Sequence, residues 1–380
     1  MKRYLEGAIL EAQERARTLK TKVRTSELSV HFTQLEQIAN NHIQDAIVLL
    51  EDLRSLPQYQ DDENQRERVH QFKQVIGLLD LVENVAIAAL SRTNQDDVVL
   101  NVLVDRIRKE INFPIPPPVV SSLSQRYYSL HPILNLMSVP LLESDFLLHI
   151  PDMFHELAHS ILAQEDNPKV EPFQISLGKF NNLARDNFES EIQREKKKFG
   201  PTEIFVQLLH NWKDCWIEGW SIEMFCDLFA TFTIGPAFAW SHLHLSVKRN
   251  GDPYQFLGHG VSTHPPDHSR MMALLYALDI SGFSREKKAI ETKWEEYISL
   301  CGYRKTPEIN RALPDLLIQH AVTLAFEGTQ KIGCRIATPD TRDPIFSLLN
   351  NAWKRFWENP LTYLNWEKNE IAKLRASLSQ

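Results

Sequence analysis

The chain has 380 residues, of which 43% are hydrophobic and 24% charged, with a formal net charge of -7; this length suits two domains or one large one with additions. Its 13 glycines are about half the usual share, which leaves little material for tight turns and favours helix. The mild acidity offers no basic face for nucleic acid, and the one compact basic run, Arg194–Lys198, is interrupted by Glu195. Cys215, Cys226, Cys301 and Cys334 form no CxxC pair, which argues against a thiolate zinc site or a disulfide framework. Charges near the N-terminus at Glu11, Glu14 and Arg15 exclude the apolar core of a signal peptide. The longest nearly uncharged apolar stretch, Phe229–Trp240, is shorter than the ~20 residues a bilayer demands. A cytoplasmic chain with no membrane span and no nucleic-acid partner is expected.

Residues 1–112 read as a helical region. Val69, Phe72, Ile76, Leu79, Val82 and Ala86 recur at helical spacing, and Thr25–Glu27 and Asp61–Glu63 suit helix starts. The run Phe113–Pro118 breaks the pattern, because proline lacks an amide and restrains the residue before it; a domain boundary is placed there. Ile133–Val139 is the best strand candidate, and a helix follows with Met153–Leu162 on it. Residues 168–184 read as irregular, with charged helix up to Gly200. An apolar helix is expected from about 203 to 233, stopped by Gly235-Pro236. Another begins at Pro265-Pro266, and from about 306 the pattern is helical again. The expected division is 1–112, 113–305 and 306–380, with a mainly α fold.

The sharpest chemical feature is His155-Glu156-Leu157-Ala158-His159, an HExxH. Residues four apart on a helix lie about 40° apart around its axis, so both imidazoles can reach one ion. Glu156, about 100° round from His155, can address a water instead. Neutral nitrogen ligands, an open coordination position and a nearby base are what a hydrolytic zinc site needs. The bland alternative is a pair of core histidines satisfied by backbone groups.

A third ligand is sought on the helix from Asn211 to Phe229. With Trp212 at 0°, Glu223 falls near 20° and Asp227 near 60°, whereas Glu218 falls near 240° on the polar side. From Ile222 to Ala230 the other residues are apolar or cysteine, so two acids there are costly unless something positive meets them. Glu223 is therefore expected to ligate the ion, and Asp227 to accept a hydrogen bond from the far nitrogen of a ligand histidine. Pairing of these acids with Arg or Lys from elsewhere is the alternative. Glu218 stays as runner-up, because Trp216–Trp220 resembles the WxxEG-like string that carries the ligand glutamate in aminopeptidases.

HExxH followed by ExxxD on a later helix resembles the gluzincin metalloproteases, and in particular the prenyl-protein and heat-shock membrane protease group. Thr263-His264-Pro265-Pro266-Asp267-His268-Ser269-Arg270 strengthens the likeness, since that group carries a similar His-Pro segment with an arginine six residues past the histidine. The resemblance covers roughly residues 130–280. It implies a zincin-like domain with a small β-sheet, flanked here by N- and C-terminal helical regions, and Zn²⁺ as cofactor. It further implies that His264 steadies the oxyanion of the tetrahedral intermediate and that Arg270 helps order the ligand shell. Ile133–Val139 matches that group's active-site edge strand only loosely, and its membrane spans have no counterpart here.

The expected activity is zinc-dependent hydrolysis of peptide bonds in a protein or peptide substrate. His155, His159 and Glu223 hold the metal, and Glu156 moves the proton from the attacking water to the leaving amine. Two other readings remain: an inactive zincin-like scaffold that binds a partner, and a non-haem iron oxygenase, since two histidines and a carboxylate also suit iron. Pro151-Asp152 before the motif is similar to the aromatic amino acid hydroxylases, but those place the second histidine five residues after the first. The tryptophans at 212, 216 and 220 read as core packing. His268 reads as exposed, Cys226 as a small core residue, and His242 and His244 as weak metal candidates. Specificity and oligomeric state are not legible in the sequence.

Overall fold

The computed structural model describes residues 2–378 apart from 24–29, 57–58, 60–63, 125–126, 165, 201–203, 250 and 256–259. The helix starts expected at Thr25–Glu27 and Asp61–Glu63 lie outside the described residues. The protein is mainly α with a small β element. Its helices are α1 (Lys2–Lys22), α2 (Thr33–Ser55), α3 (Gln65–Leu81), α4 (Ala88–Ser91), α5 (Gln95–Glu110), α6 (Asp152–Leu162), α7 (Glu171–Phe199), α8 (Ile204–Cys215), α9 (Ser221–Ile234) and α10 (Pro236–Lys248). They continue with α11 (Asp267–Ile280), α12 (Ser284–Cys301), α13 (Pro307–Ala312), α14 (Asp315–Lys331), α15 (Pro344–Glu358) and α16 (Pro360–Leu378). Two π-helical segments, Val82–Ile87 and Trp216–Trp220, join α3 to α4 and α8 to α9.

The chain forms two compact units, Met1–Val102 with Pro118–Leu141, and Leu103–Pro117 with Leu142–Gln380. The proline run at 113–118 is thus one of the places where the chain passes between units, and residues 142–305 and 306–380 share a unit. In the first unit, β1 (Val119–Ser121), β2 (Ser129–His131) and β3 (Leu136–Ser138) form a sheet in the order β1-β3-β2, with β3 parallel to β1 and antiparallel to β2. This sheet groups with the N-terminal helices, not with the segment that carries HExxH. Val119, Leu134 and Leu136 bury themselves in the same apolar cluster as Leu35, Ile43 and Leu79. The strand expected over Ile133–Val139 shortens to Leu136–Ser138, because Pro132–Leu134 is a 3-10 turn and Asn135 adopts φ 45°.

The run Gln65–Ser91 is 27 residues long with a mean hydropathy of 1.5 in its most apolar window, and 33% of that window is buried. By length and composition it could cross a membrane, contrary to the expectation of no membrane-length stretch, although unlike Phe229–Trp240 it is not nearly uncharged. Asp80 and Glu83 interrupt it, and Arg15 pairs with both at 2.6 Å.

In the second unit α9 is central, packed against α6, α7, α10, α11 and α14. Its residues from Glu223 to Ile234 are all buried. The tryptophans at 212, 216 and 220 are buried too, and Trp216 Nε1 donates to the Ala312 carbonyl at 2.8 Å. The irregular stretch expected at 168–184 is instead the first half of α7. Phe173, Ser176, Phe180, Ala184 and Phe188 form one buried stripe at helical spacing, which outweighs the low helix preference of Gly178, Asn181 and Asn182.

His268 is half-buried rather than exposed. Trp294 Nε1 donates to its Nδ1 at 3.1 Å, and burial, with the charge of Lys305, lowers the ring from 6.5 to about 4. The fold therefore prefers the neutral ring, so this contribution to stability is complete above pH 6.5 and declines as pH falls toward 4. A His268→Gln variant is expected to lose less stability than wild type between pH 6.5 and 4, measured by urea midpoint at each pH. Equal slopes would contradict it.

Candidate metal centre

The buried helix α6 presents His155 and His159 toward Glu223 and Asp227 of α9 and carries Glu156 between them in sequence. Ser241 Oγ on α10 donates to Asp152 Oδ2 at 2.9 Å and ties down the start of α6. Phe238, also on α10, stacks on the His155 ring at 6.1 Å between centroids and 16° between planes. The ring is therefore held from the side as well as by its own helix.

Three donors converge at the centre. His155 Nε2 and His159 Nε2 are 3.1 Å apart. Glu223 Oε2 lies 3.3 Å from the first and Oε1 lies 3.5 Å from the second. Ligands about 2.1 Å from a tetrahedral zinc lie about 3.4 Å from one another, so these separations are those of one ligand shell. On the other side of His155, Asp227 Oδ1 accepts a hydrogen bond from Nδ1 at 2.8 Å. With the proton on Nδ1, a neutral His155 turns a lone pair toward His159 and Glu223. Two imidazole nitrogens and a carboxylate then face one another.

That space suits a positive charge. Burial pushes His155 down, but its hydrogen bonds to Asp227 and Glu223 outweigh this and lift it to about 10, so without an ion a proton takes the position. Burial, reinforced by the charge of His155, holds His159 down at about 4. Burial would raise Glu223, but His155 and the other imidazoles bring it to about 2. Its Oε2 is buried, with His155 Nε2 at 3.3 Å and His264 Nε2 at 3.2 Å beside it, a place that suits a cation. Asp227 is fully buried, and Arg270 grips it with two hydrogen bonds, Nε to Oδ2 at 2.6 Å and Nη2 to Oδ1 at 2.7 Å. Burial would raise this carboxyl, yet Arg270 holds it far below its ordinary range.

The sequence-derived residues His155, His159, Glu223, Asp227, His264 and Arg270 all meet here. His264 Nε2 lies 3.2 Å from Glu223 Oε2, with its side chain 56% exposed. Glu156 is buried one residue after His155, and its charge adds to those that act on Cys226. Glu218 is exposed and takes no part. His242 and His244 do not join the centre either: His242 Nε2 is bonded to the Asp267 carbonyl at 3.0 Å, and His244 packs on Trp353 and Phe356.

Sequence reasoning missed Cys226 as a donor. Among the described residues, His155, His159 and Cys226 each offer one ligand atom within 4.8 Å of the others, a buried group that can hold a metal ion. Cys226 follows Glu223 by three residues, so both fall on one face of α9. Burial and then Glu223, Glu156 and Asp227 raise its thiol well above the ordinary range, whereas Glu223 is already an anion. The cobalt-loaded protein is therefore expected to show no thiolate charge-transfer band. In Glu223→Ala the band is expected to appear as Cys226 takes the vacated position, and in Glu223→Ala/Cys226→Ser to vanish again. A band in the wild type would make Cys226 a resident ligand.

Neither family models nor curated proteins nor solved structures match this chain.

Proposed function

We propose that the chain is a zinc-dependent peptidase of the gluzincin kind, with His155, His159 and Glu223 as metal ligands and Glu156 as general base. The observation that carries this reading is the convergence of two imidazole Nε2 atoms and one carboxylate at 3.1, 3.3 and 3.5 Å, beside the glutamate of an HExxH. A structural site has no need of that glutamate.

A zinc ion bound there would supply a Lewis acid that polarises a peptide carbonyl and acidifies a water. The chain's own residues do the rest. Glu156 takes a proton from the attacking water and returns it to the leaving amine nitrogen. His264, at the exposed edge of the centre, donates to the oxygen on which negative charge develops. Asp227 keeps the proton of His155 on Nδ1, so that Nε2 stays a ligand, and Arg270 keeps Asp227 ionised and aimed. The substrate class is a peptide or protein.

The donor set also suits iron(II), and metal analysis separates the two. Protein purified without added metal is expected to hold about one zinc per chain, to lose peptide cleavage on chelation and to regain it with zinc. Iron at that stoichiometry would replace the peptidase reading with an oxygenase one, and neither metal would leave a scaffold.

A further inference from the structure

Of the centre's members, neither α6 nor α9 carries His264 or Arg270; Arg270 is on α11, but His264 belongs to no helix. It lies on the segment 260–264, before the buried Pro265 and Pro266, and both Thr263 and His264 are exposed, so burial of its own side chains does not hold this segment. Its backbone rests on the π-turn Trp216–Trp220. A Cβ added to Gly219 would lie 2.8 Å from Thr263 Cα, 2.8 Å from the Thr263 carbonyl oxygen and 3.1 Å from that of Ser262. These are backbone atoms, so none can rotate away. One residue before the π-turn, Cys215 Sγ accepts from the Ser262 amide at 3.4 Å and donates to the Gly260 carbonyl at 3.7 Å. Within the segment, Ser262 Oγ donates to the His264 carbonyl at 2.9 Å, and Thr263 Oγ1 lies 2.9 Å from His264 Nδ1.

We infer that the π-turn is the seat on which the 260–264 segment docks, and that Gly219 is a positioning residue that sets where His264 stands relative to Glu223. A π-turn inserts one residue into a helix and is frequent at functional sites; here it turns a residue without a side chain toward another backbone. Glycine weakens a helix interior relative to alanine, a cost that close approach explains. The effect on reaction rate rests on the peptidase reading above; the docking does not.

The test uses the full-length chain with Gly219→Ala, and with Gly178→Ala as control. Gly178 lies within α7, where an added Cβ meets nothing within 4 Å. Gly219→Ala is expected to speed amide hydrogen exchange over 260–264 about tenfold or more while α9 and the zinc content stay as in wild type, the signature of one local unit opening. Its kcat should fall about 100-fold, the scale of a displacement near 1 Å, with KM little changed. Adding His264→Ala should cost nothing further. Helix propensity alone predicts the opposite, a stabilised protein with unchanged exchange, and that result overturns the inference. Faster exchange with unchanged kcat overturns the positioning role. Cys215→Ala, which removes the sulfur anchor without adding an atom, should speed the same exchange if Gly219→Ala fails to fold; no change there also overturns it. If wild type cleaves no peptide, the peptidase reading fails while the exchange arm still decides the seat.

Discussion

Glu156→Gln is expected to keep the metal content of wild type while peptide cleavage falls by about 10²- to 10⁴-fold, the range a positioned acid–base group contributes. The amide matches the carboxylate in size, so the packing of α6 is undisturbed, and Glu156 is not among the atoms that converge between His155, His159 and Glu223. What is lost is the ability to accept a proton. The measurement is cleavage of a peptide library together with metal analysis of the same preparation. If the variant cleaves as well as wild type, the assignment of the base is wrong. If both proteins are inert with zinc bound, the centre is structural.

The second large effect concerns stability. Arg270→Leu leaves the Asp227 carboxylate fully buried with its guanidinium partner gone, a situation that costs about 3–5 kcal/mol. In the apo protein the protonated His155 still meets Asp227 through Nδ1 at 2.8 Å, but one charged hydrogen bond does not replace the two from Arg270 at 2.6 and 2.7 Å. Urea unfolding in the presence of chelator gives the apo stability and keeps metal binding out of the comparison. In the double variant Arg270→Leu/Asp227→Asn the buried charge is absent, so it is expected to be more stable than Arg270→Leu alone. Additive losses in this cycle would show that the two residues do not act as a pair.

The parts of this centre that were legible in the sequence are those set by local geometry. Four-residue spacing alone brings His155 and His159 to one side of a helix, and the apolar company of Glu223 and Asp227 announced two acids in need of a positive partner. Glu218 was separable from Glu223 because one falls on the polar side of the helix and the other on the buried side. That assignment survives the π-turn between them, which resets the angular register but leaves Glu223 and Asp227 one turn apart. Helices with a continuous apolar stripe were legible on the same grounds, while α7 was not, because its buried stripe runs through residues that also suit loops.

Only the tertiary structure decided the rest. Cys226 and Phe238 are ordinary core residues by sequence, and they approach His155 because α6, α9 and α10 pack together. The π-turn at Gly219 has no local signature, since a glycine in a helix reads as a flaw until the backbone it admits is seen. The grouping of the small sheet with the N-terminal helices depends on pairings between residues far apart in the chain. Local chemistry is written in spacing and composition, but which distant surfaces meet is settled by burial of the whole apolar set at once, and no window of sequence contains that sum.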